Sequence, residues 1–179
     1  MDARQIWSIL SSDSSVQQTN FLGVFPLDHI PKEALNSFPC SFVVNTKPHT
    51  HPGEHWVAVI KTDENRGVFF DSYGNPPSYL EEVLDVLDHC DDWTYNPTAL
   101  QSLYSSVCGQ YSIFFLTHFA RGFTLEHIVF LLNDMGDRCA NDAFIYNYIK
   151  TKYQKYLHNT ELYIIDLPLI FNQIASITQ

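Results

Sequence analysis

Apolar residues recur at helical spacing in several stretches of the chain. Near the start, Ile6, Ile9 and Leu10 share one face and predict a helix over residues 2–10. An amphipathic pattern likewise predicts a helix over residues 78–89, with Ser78 as its N-cap. The same reasoning predicts a short helical turn at residues 32–36. It also predicts helices over residues 108 to about 121, 124–133, and 141 to about 156.

Other apolar stretches favour strands. Residues 41–46, 55–61, 68–71 and 93–96 are predicted strands, and the turn at 63–67 is expected to join the second and third into a hairpin. Residues 11–20 and 47–54 are predicted loops, residues 21–26 are apolar but interrupted by Gly23 and Pro26, and 162–165 fit a strand or a helical turn. The pattern indicates an α+β fold, with a central mixed or antiparallel sheet flanked by helices in one domain over residues 1–179.

A cysteine stands where a loop of small residues meets an apolar helix. Ser105 and Ser106 precede Cys108, and Gly109 follows it. The first turn of a helix presents unpaired N–H groups and the positive end of the dipole, which stabilise a thiolate. We therefore expect Cys108 to be a nucleophile at the N-terminus of a central helix. A buried cysteine that only fills space is the alternative, and the small neighbours favour the nucleophile.

A histidine and an aspartate lie at the two ends of the predicted hairpin. His55 starts the outgoing strand and Asp71 ends the returning one, so their side chains are expected to meet. Taken singly, His55 fits a half-exposed strand residue and Asp71 a turn residue. Together with Cys108 they make a candidate catalytic triad. Gln101, seven residues before Cys108, is expected to donate to an oxyanion beside the Cys108 N–H group.

The order His, Asp, Gln, Cys resembles that of the adenovirus protease family, within the wider group of SUMO-specific proteases. The matching residues, between about 20 and 120, are Gly53-Glu54-His55-Trp56, Phe70-Asp71, and Gln101 with Cys108-Gly109. The resemblance implies an endopeptidase that cleaves viral capsid or core precursors during virion maturation. It makes Cys108 the nucleophile, His55 the general base, Asp71 the orienting acid and Gln101 the oxyanion donor. Gly53, Trp56 and Gly109, which would make a narrow approach to Cys108, are the residues expected to contact the substrate.

Charge separates this chain from the adenovirus pattern. It has 10 basic and 20 acidic residues, a formal charge of −10, which speaks against a general nucleic-acid surface and against stimulation by DNA. The acidic, compact chain looks more like the proteases of adenovirus-like viruses or of virus-derived DNA transposons. The family also implies an activating peptide, for which Cys90 lies at the corresponding distance before Cys108. No cofactor is expected.

The spacing of the cysteines indicates whether the protein occupies a reducing or an oxidising cellular compartment. The four cysteines form no CxxC pair and no signal peptide precedes them, so we expect free thiols in a reducing, intracellular setting: nucleus, cytoplasm or a packaged virion. The apolar runs are too short to span a membrane. Protein substrates are the expected partners.

Other functions stay open at this point. His49, His51 and His55 form an HxHx3H pattern that could bind a metal, although prolines and Gly53 obscure the loop geometry and no metal site is expected. The same triad would also serve a protease of ubiquitin-like modifiers or an acetyltransferase. A catalytically inactive protein-binding module is a further alternative.

Overall fold

A five-stranded mixed sheet carries the fold, in the order β1-β2-β3-β4-β5. The computed structural model describes residues 1–157. The inner strands β2, β3 and β4 are antiparallel, while β1 runs parallel to β2 and β5 parallel to β4. The strands are β1 (Phe21–Pro26), β2 (Cys40–Asn45), β3 (Trp56–Asp63), β4 (Arg66–Phe70) and β5 (Asp92–Tyr95). The predicted mixed sheet is therefore confirmed.

Helices flank this sheet, which confirms the α+β class. They are α1 (Ala3–Ser12), α2 (Ser14–Gln17), α3 (Glu33–Asn36), α4 (Glu81–Leu87), α5 (Cys108–Phe119), α6 (Leu125–Asn133) and α7 (Arg138–Tyr153). Short 3-10 turns lie at Leu27–His29, Pro77–Tyr79 and Gln154–Tyr156. None of the helices in the described portion of the chain has both the length and the apolar character that a membrane crossing requires.

The two faces of the sheet bury separate apolar clusters, because side chains alternate along each strand. On β2, Val43 faces the cluster that contains α5, while Phe42 and Val44 face the cluster that contains α4. Helix α5 is buried at every position from Cys108 to His118. It is the central helix of the fold, and it packs against β3. The expected position of Cys108, at the N-terminus of a central helix, is confirmed.

Two segments that were not predicted as regular structure form a helix and a strand, because of a helix cap and a β-bulge. The expected loop at 11–20 contains the end of α1 and all of α2, because the Asp13 side chain accepts the N–H groups of Ser15 and Val16 and starts a new helix. The interrupted stretch 21–26 forms β1, since a register shift between Phe21 and Gly23, with Gly23 at φ +141°, accommodates the glycine.

Two predicted helix starts were wrong. Ser78 does not cap α4: Pro77 opens a 3-10 turn, and α4 begins at Glu81 after a Leu80 cap without a side-chain hydrogen bond. Helix α7 begins at Arg138 rather than residue 141, because Asp137 accepts the Ala140 N–H at 2.8 Å. The element predicted at 162–165 lies outside the described residues, and so does part of the predicted single domain.

Candidate active site

The β3–β4 hairpin brings His55 and Asp71 together. Ala58 pairs with Phe70, so His55 lies just before β3 and Asp71 directly after β4 at the same end of the ladder. His55 Nε2 and Asp71 Oδ1 are 2.7 Å apart. Asp71 is fully buried and His55 is 7% exposed, so this ion pair is shielded from solvent. The contact expected from the hairpin geometry is present.

Three further donors hold the Asp71 carboxylate. Oδ1 also accepts the Tyr73 N–H at 2.8 Å, and Oδ2 accepts Asn75 Nδ2 and the Tyr79 hydroxyl, each at 3.0 Å. Burial acts to raise the pKa of Asp71, but the hydrogen bond and charge of His55, with these donors, hold it below its ordinary value. Asp71 is therefore an ionised carboxylate with a fixed orientation.

Asn96 fixes the backbone at Asp71. It follows β5, is 1% exposed, and accepts the Asp71 N–H at 3.0 Å through Oδ1. Its Nδ2 donates to the Asp71 carbonyl at 2.6 Å and to the Thr98 carbonyl at 3.2 Å. Asp71 has left the ladder at this point, so the Asn96 amide supplies the partner that the Asp71 N–H would otherwise lack, while the Asp71 carbonyl also accepts the Gly74 N–H at 2.8 Å.

Cys108 is the first residue of α5. Its cap residue Val107 makes no side-chain capping bond, so the N–H groups of the first turn have no partner of that kind. Burial acts to raise the pKa of the Cys108 thiol, but the neighbouring His55 imidazole outweighs it and lowers the pKa. Backbone N–H groups of Trp56 and Gly109 act in the same direction. The site therefore favours the thiolate.

His55 is the matching cation. Burial acts to lower the pKa of its imidazole, but its hydrogen bond to Asp71 and the interaction with Cys108 raise it to about 9. With Nε2 on Asp71, Nδ1 is the nitrogen left for Cys108, and it is buried without a hydrogen-bond partner among the described residues. The three side chains can therefore hold a thiolate–imidazolium pair.

Gln101 lies beside this triad with its amide already bonded. Its Oε1 accepts the Ser72 hydroxyl at 2.6 Å, and its Nε2 donates to the Ser105 carbonyl and hydroxyl, each at 3.0 Å. Gln101 is fully buried. The oxyanion role stays a prediction: the Nε2 group would have to exchange a Ser105 bond for the substrate oxygen.

A cleft of about 600 Å³ opens onto Cys108. Gly53 and Trp56 line one part of it, and Ser105 and Ser106 another. Trp56 is partly buried, and its Nε1 donates to the Met1 carbonyl at 3.3 Å. The structure thus places two of the three predicted substrate-contact residues at the cleft.

Gly109 and Cys90 lie elsewhere. A Cβ on Gly109 would meet Ile6 Cδ1 at 3.1 Å, with Met1 and Trp56 each at 3.3 Å, so its Cα packs under α1. Cys90 is 8% exposed, and its Sγ would lie 3.2 Å from a Cβ on Gly67, near Leu87 of the cluster on the sheet face opposite α5. Substrate contact by Gly109 and peptide docking at Cys90 stay predictions.

The three histidines of the HxHx3H pattern have separate partners. His49 Nδ1 lies 2.6 Å from Asp28 Oδ2, His51 Nδ1 lies 3.0 Å from the Thr50 hydroxyl, and His55 bonds Asp71. His118, inside α5, is a packed core histidine: burial lowers its pKa to about 4, and its Nδ1 lies 2.7 Å from the Phe114 carbonyl oxygen.

Sequence reasoning missed the residues that support the triad. Tyr73 stacks on the His55 ring with centroids 4.6 Å apart, and Asn75, Tyr79 and Asn96 hold Asp71. A signal existed for Tyr73, because continuing the hairpin register three residues beyond the Ala58–Phe70 pair places it opposite His55. Asn96 had no such signal, since its contact depends on β5 lying parallel to β4.

The chain was compared with known proteins by sequence and by structure. No family model matches the chain. In sequence it is 29% identical to the protease of porcine adenovirus A serotype 3, over 59% of this chain and 59% of that protein. The chain is similar to an adenovirus protease. The resemblance predicted from the motifs is therefore confirmed, and the chain spans less than two thirds of this relative's length.

Solved structures give a further comparison. ChlaDub1 from Chlamydia trachomatis superposes with a TM-score of 0.44 and 18% sequence identity, covering 92% of this chain and 83% of that chain.

Proposed function

We propose that the chain is a cysteine endopeptidase. The observation that carries the proposal is the buried 2.7 Å contact between His55 and Asp71 beside a thiol of lowered pKa at the start of α5. This arrangement opens onto a cleft of about 600 Å³. A nucleophile, a base and an orienting carboxylate in this order are the parts that acyl transfer through a thioester requires.

In the first half of the reaction, the Cys108 thiolate attacks the scissile carbonyl carbon and forms a C–S bond. The negative oxygen is stabilised by the Cys108 N–H group, which has no partner within the helix, and by Gln101 once it releases Ser105. His55 then donates its proton to the leaving amine as the C–N bond breaks. Asp71 stabilises the imidazolium until that transfer.

In the second half, water hydrolyses the thioester. His55, now neutral, takes a proton from the attacking water, and the C–S bond breaks to release the acid product and the Cys108 thiolate. The imidazolium is thereby restored. Every proton passes through His55, so the reaction needs no metal or cofactor.

Protein precursors of a virus capsid or core are the substrates we propose. The similarity to an adenovirus protease supports this choice. The small side chains of Ser105 and Ser106 and the nearby Gly53 leave room for a substrate backbone at the cleft, which suits small residues such as glycine next to the scissile bond. An intracellular, reducing setting fits the four free thiols.

The test is cleavage of capsid-precursor proteins and of a peptide library, with ubiquitin-like fusions and acetyl-coenzyme A included as rival substrates. We expect cleavage of the precursors that Cys108→Ala abolishes while its circular dichroism is unchanged. Cys139→Ser is the matched control, because Cys139 is an exposed thiol outside the site. Cleavage by Cys108→Ala, or turnover of the rival substrates alone, would contradict the proposal.

A further inference from the structure

A second cluster of chemically active side chains lies at the rim of the cleft. Asp28 and His29 belong to the 3-10 turn after β1, and His49 comes from the loop before β3. Asp28 Oδ1 lies 3.0 Å from His29 Nδ1, and Asp28 Oδ2 lies 2.6 Å from His49 Nδ1. One ligand atom from each residue fits within a mutual distance of 4.8 Å.

Hydrogen bonds from the loop backbone hold this cluster in place. The His49 N–H donates to Asp28 Oδ1 at 2.9 Å, and the Leu27 N–H donates to the Lys47 carbonyl at 3.1 Å. The two imidazole rings stand nearly perpendicular, with an interplanar angle of 87° and centroids 4.5 Å apart. These hydrogen bonds join two segments that lie some 20 residues apart in the sequence, and they hold the three side chains near one another.

The donor set matches a particular kind of ion. Two imidazole nitrogens and one carboxylate oxygen are the ligands that Zn²⁺ takes with an open fourth position. Ligand atoms around a tetrahedral zinc lie about 3.3 Å apart for bonds of about 2.0–2.1 Å. The two carboxylate–imidazole separations, 3.0 and 2.6 Å, are somewhat shorter than that value, and all three ligand atoms lie within 4.8 Å of one another. Side-chain rotations at these exposed positions can therefore open room for the ion, and exposure lets a water molecule complete the shell. Mg²⁺ and Ca²⁺ prefer oxygen ligands and fit this set poorly.

We propose that Asp28, His29 and His49 bind one Zn²⁺ ion at the cleft rim. His49 lines the cleft, and its loop continues through Gly53 and Glu54 to His55. The bound ion fastens this loop to the turn at Leu27–His29 and so steadies one wall of the cleft. This proposal goes beyond the peptidase function and does not depend on it.

The experiment is calorimetric titration of ZnCl₂ into the full chain without an affinity tag, with Cys108→Ala and Cys139→Ser introduced to remove the active-site and exposed thiols. We expect one Zn²⁺ per chain. His29→Gln and His49→Gln should each weaken binding at least about tenfold. His51→Gln is the matched control, since His51 is exposed on the same loop and faces Thr50. Co²⁺ should give absorption bands that His49→Gln removes.

A structural readout accompanies the affinity. Zn²⁺ should slow amide hydrogen exchange in residues 46–54 of the His51→Gln protein but not of the His49→Gln protein, while exchange in α6 stays unchanged. No heat and no cobalt band at millimolar metal, or binding that His29→Gln and His49→Gln leave intact, would overturn the proposal. Because binding is measured on a chain without its nucleophile, failure here is separate from failure of the peptidase assignment.

Discussion

The Asp71 carboxylate controls the chemistry of two other side chains. It is fully buried and accepts four hydrogen bonds, so it stays ionised and holds the Nε2 edge of the His55 ring. Its hydrogen bond is the largest influence that raises the pKa of His55, and the resulting imidazolium in turn lowers the pKa of Cys108. A single buried charge therefore decides the protonation of the whole triad.

Alkylation of Cys108 measures this coupling directly. In the native chain the thiolate should persist well below pH 9, so iodoacetamide should modify Cys108 at pH 7. In His55→Ala the largest influence that lowers the pKa is gone, and burial then opposes only the backbone N–H groups of Trp56 and Gly109. We expect labelling at pH 7 to slow clearly relative to the native chain. The rate is read by mass spectrometry of the Cys108 peptide from pH 5 to 10.

His127→Ala is the control for this experiment, because His127 is exposed on α6 and away from the cleft. It should leave the labelling profile unchanged. Equal profiles for the native chain and His55→Ala would mean that the imidazole does not act on the sulfur.

Peptidase activity should decline as pH rises through about 9. His55 must carry a proton to the leaving amine, and its pKa is raised to about 9, so the proton is present below that value and lost above it. Asp71→Asn removes the main cause of the raised pKa, so the alkaline limb should move to lower pH and the maximum rate should fall roughly 100-fold. The pH dependence of kcat/KM for both proteins tests this, and an unmoved limb would contradict it.

At the scale of elements, the ends of strands position the site. His55 precedes β3, Asp71 follows β4 and Asn96 follows β5, all at one end of the sheet. The hairpin part of this arrangement was predictable, because one tight turn fixes which residues of β3 and β4 are neighbours. The contribution of β5 was not, because a parallel neighbour arrives through a long connection whose register no local pattern encodes.

Asn96→Ala tests the β5 contribution. It leaves the buried Asp71 N–H without its partner, while the Asp71 carbonyl keeps the Gly74 N–H, so we expect the free energy of unfolding to fall by about 1–3 kcal/mol. Peptidase activity should fall as well, since the Asp71 backbone is released. Urea unfolding followed by circular dichroism gives the first quantity. Asn133→Ala, at an exposed position of α6, should stay within about 0.5 kcal/mol of the native chain.

Asp13 shows how one side chain can connect three helices. It caps α2 and accepts Arg121 Nη2 at 2.7 Å and the Tyr153 hydroxyl at 3.3 Å. Burial acts to raise its pKa, but the Arg121 hydrogen bond and the cap lower it. Its contribution to stability is therefore present above its ordinary pKa and is lost as pH falls through the lowered value.

Replacing Asp13 should cost more than replacing an ordinary cap. Asp13→Ala removes the cap of α2 and the bonds that Arg121 and Tyr153 make to the carboxylate. We therefore expect a loss of about 2–3 kcal/mol in the free energy of unfolding at pH 7. Asp137→Ala is the matched variant, because Asp137 caps α7 but is exposed, and it should cost about 1 kcal/mol. Urea titrations compare the two, and equal losses would show that the Arg121 pair contributes nothing.

At the scale of the whole molecule, the sequence predicts the triad better than its surroundings. His55, Asp71 and Cys108 each follow from a local signal: a hairpin end or a helix start. The contact of Asn96 with Asp71 and the contact of His49 with Asp28 instead join segments more than 20 residues apart in the chain. The starts of α4 and α7 were predicted at the wrong residues. A 3-10 turn opened by Pro77 delays α4 to Glu81, and the cap at Asp137 starts α7 early, at Arg138. Both signals are only a few residues long and are easily outweighed in a sequence pattern.

The four thiols occupy different environments, and their reactivity should follow. Cys139 is exposed and Cys108 lines the cleft, whereas burial raises the pKa of Cys90 and raises that of Cys40 to about 11. Brief alkylation of the native chain at pH 8 should therefore modify Cys108 and Cys139, and modify Cys40 and Cys90 only after unfolding. Mass spectrometry of the peptides measures all four rates at once.

This experiment also decides how an activating peptide could attach. A disulfide to Cys90 needs the sulfur to reach solvent, and the structure buries it near Leu87, on the sheet face opposite α5. If Cys90 reacts as slowly as Cys40, a peptide can dock there only by first opening the end of α4, and Cys90→Ser should leave peptidase activity unchanged. If Cys90 instead reacts as fast as Cys139, its sulfur reaches solvent in the native chain. A peptide could then form a disulfide with Cys90 without opening the end of α4.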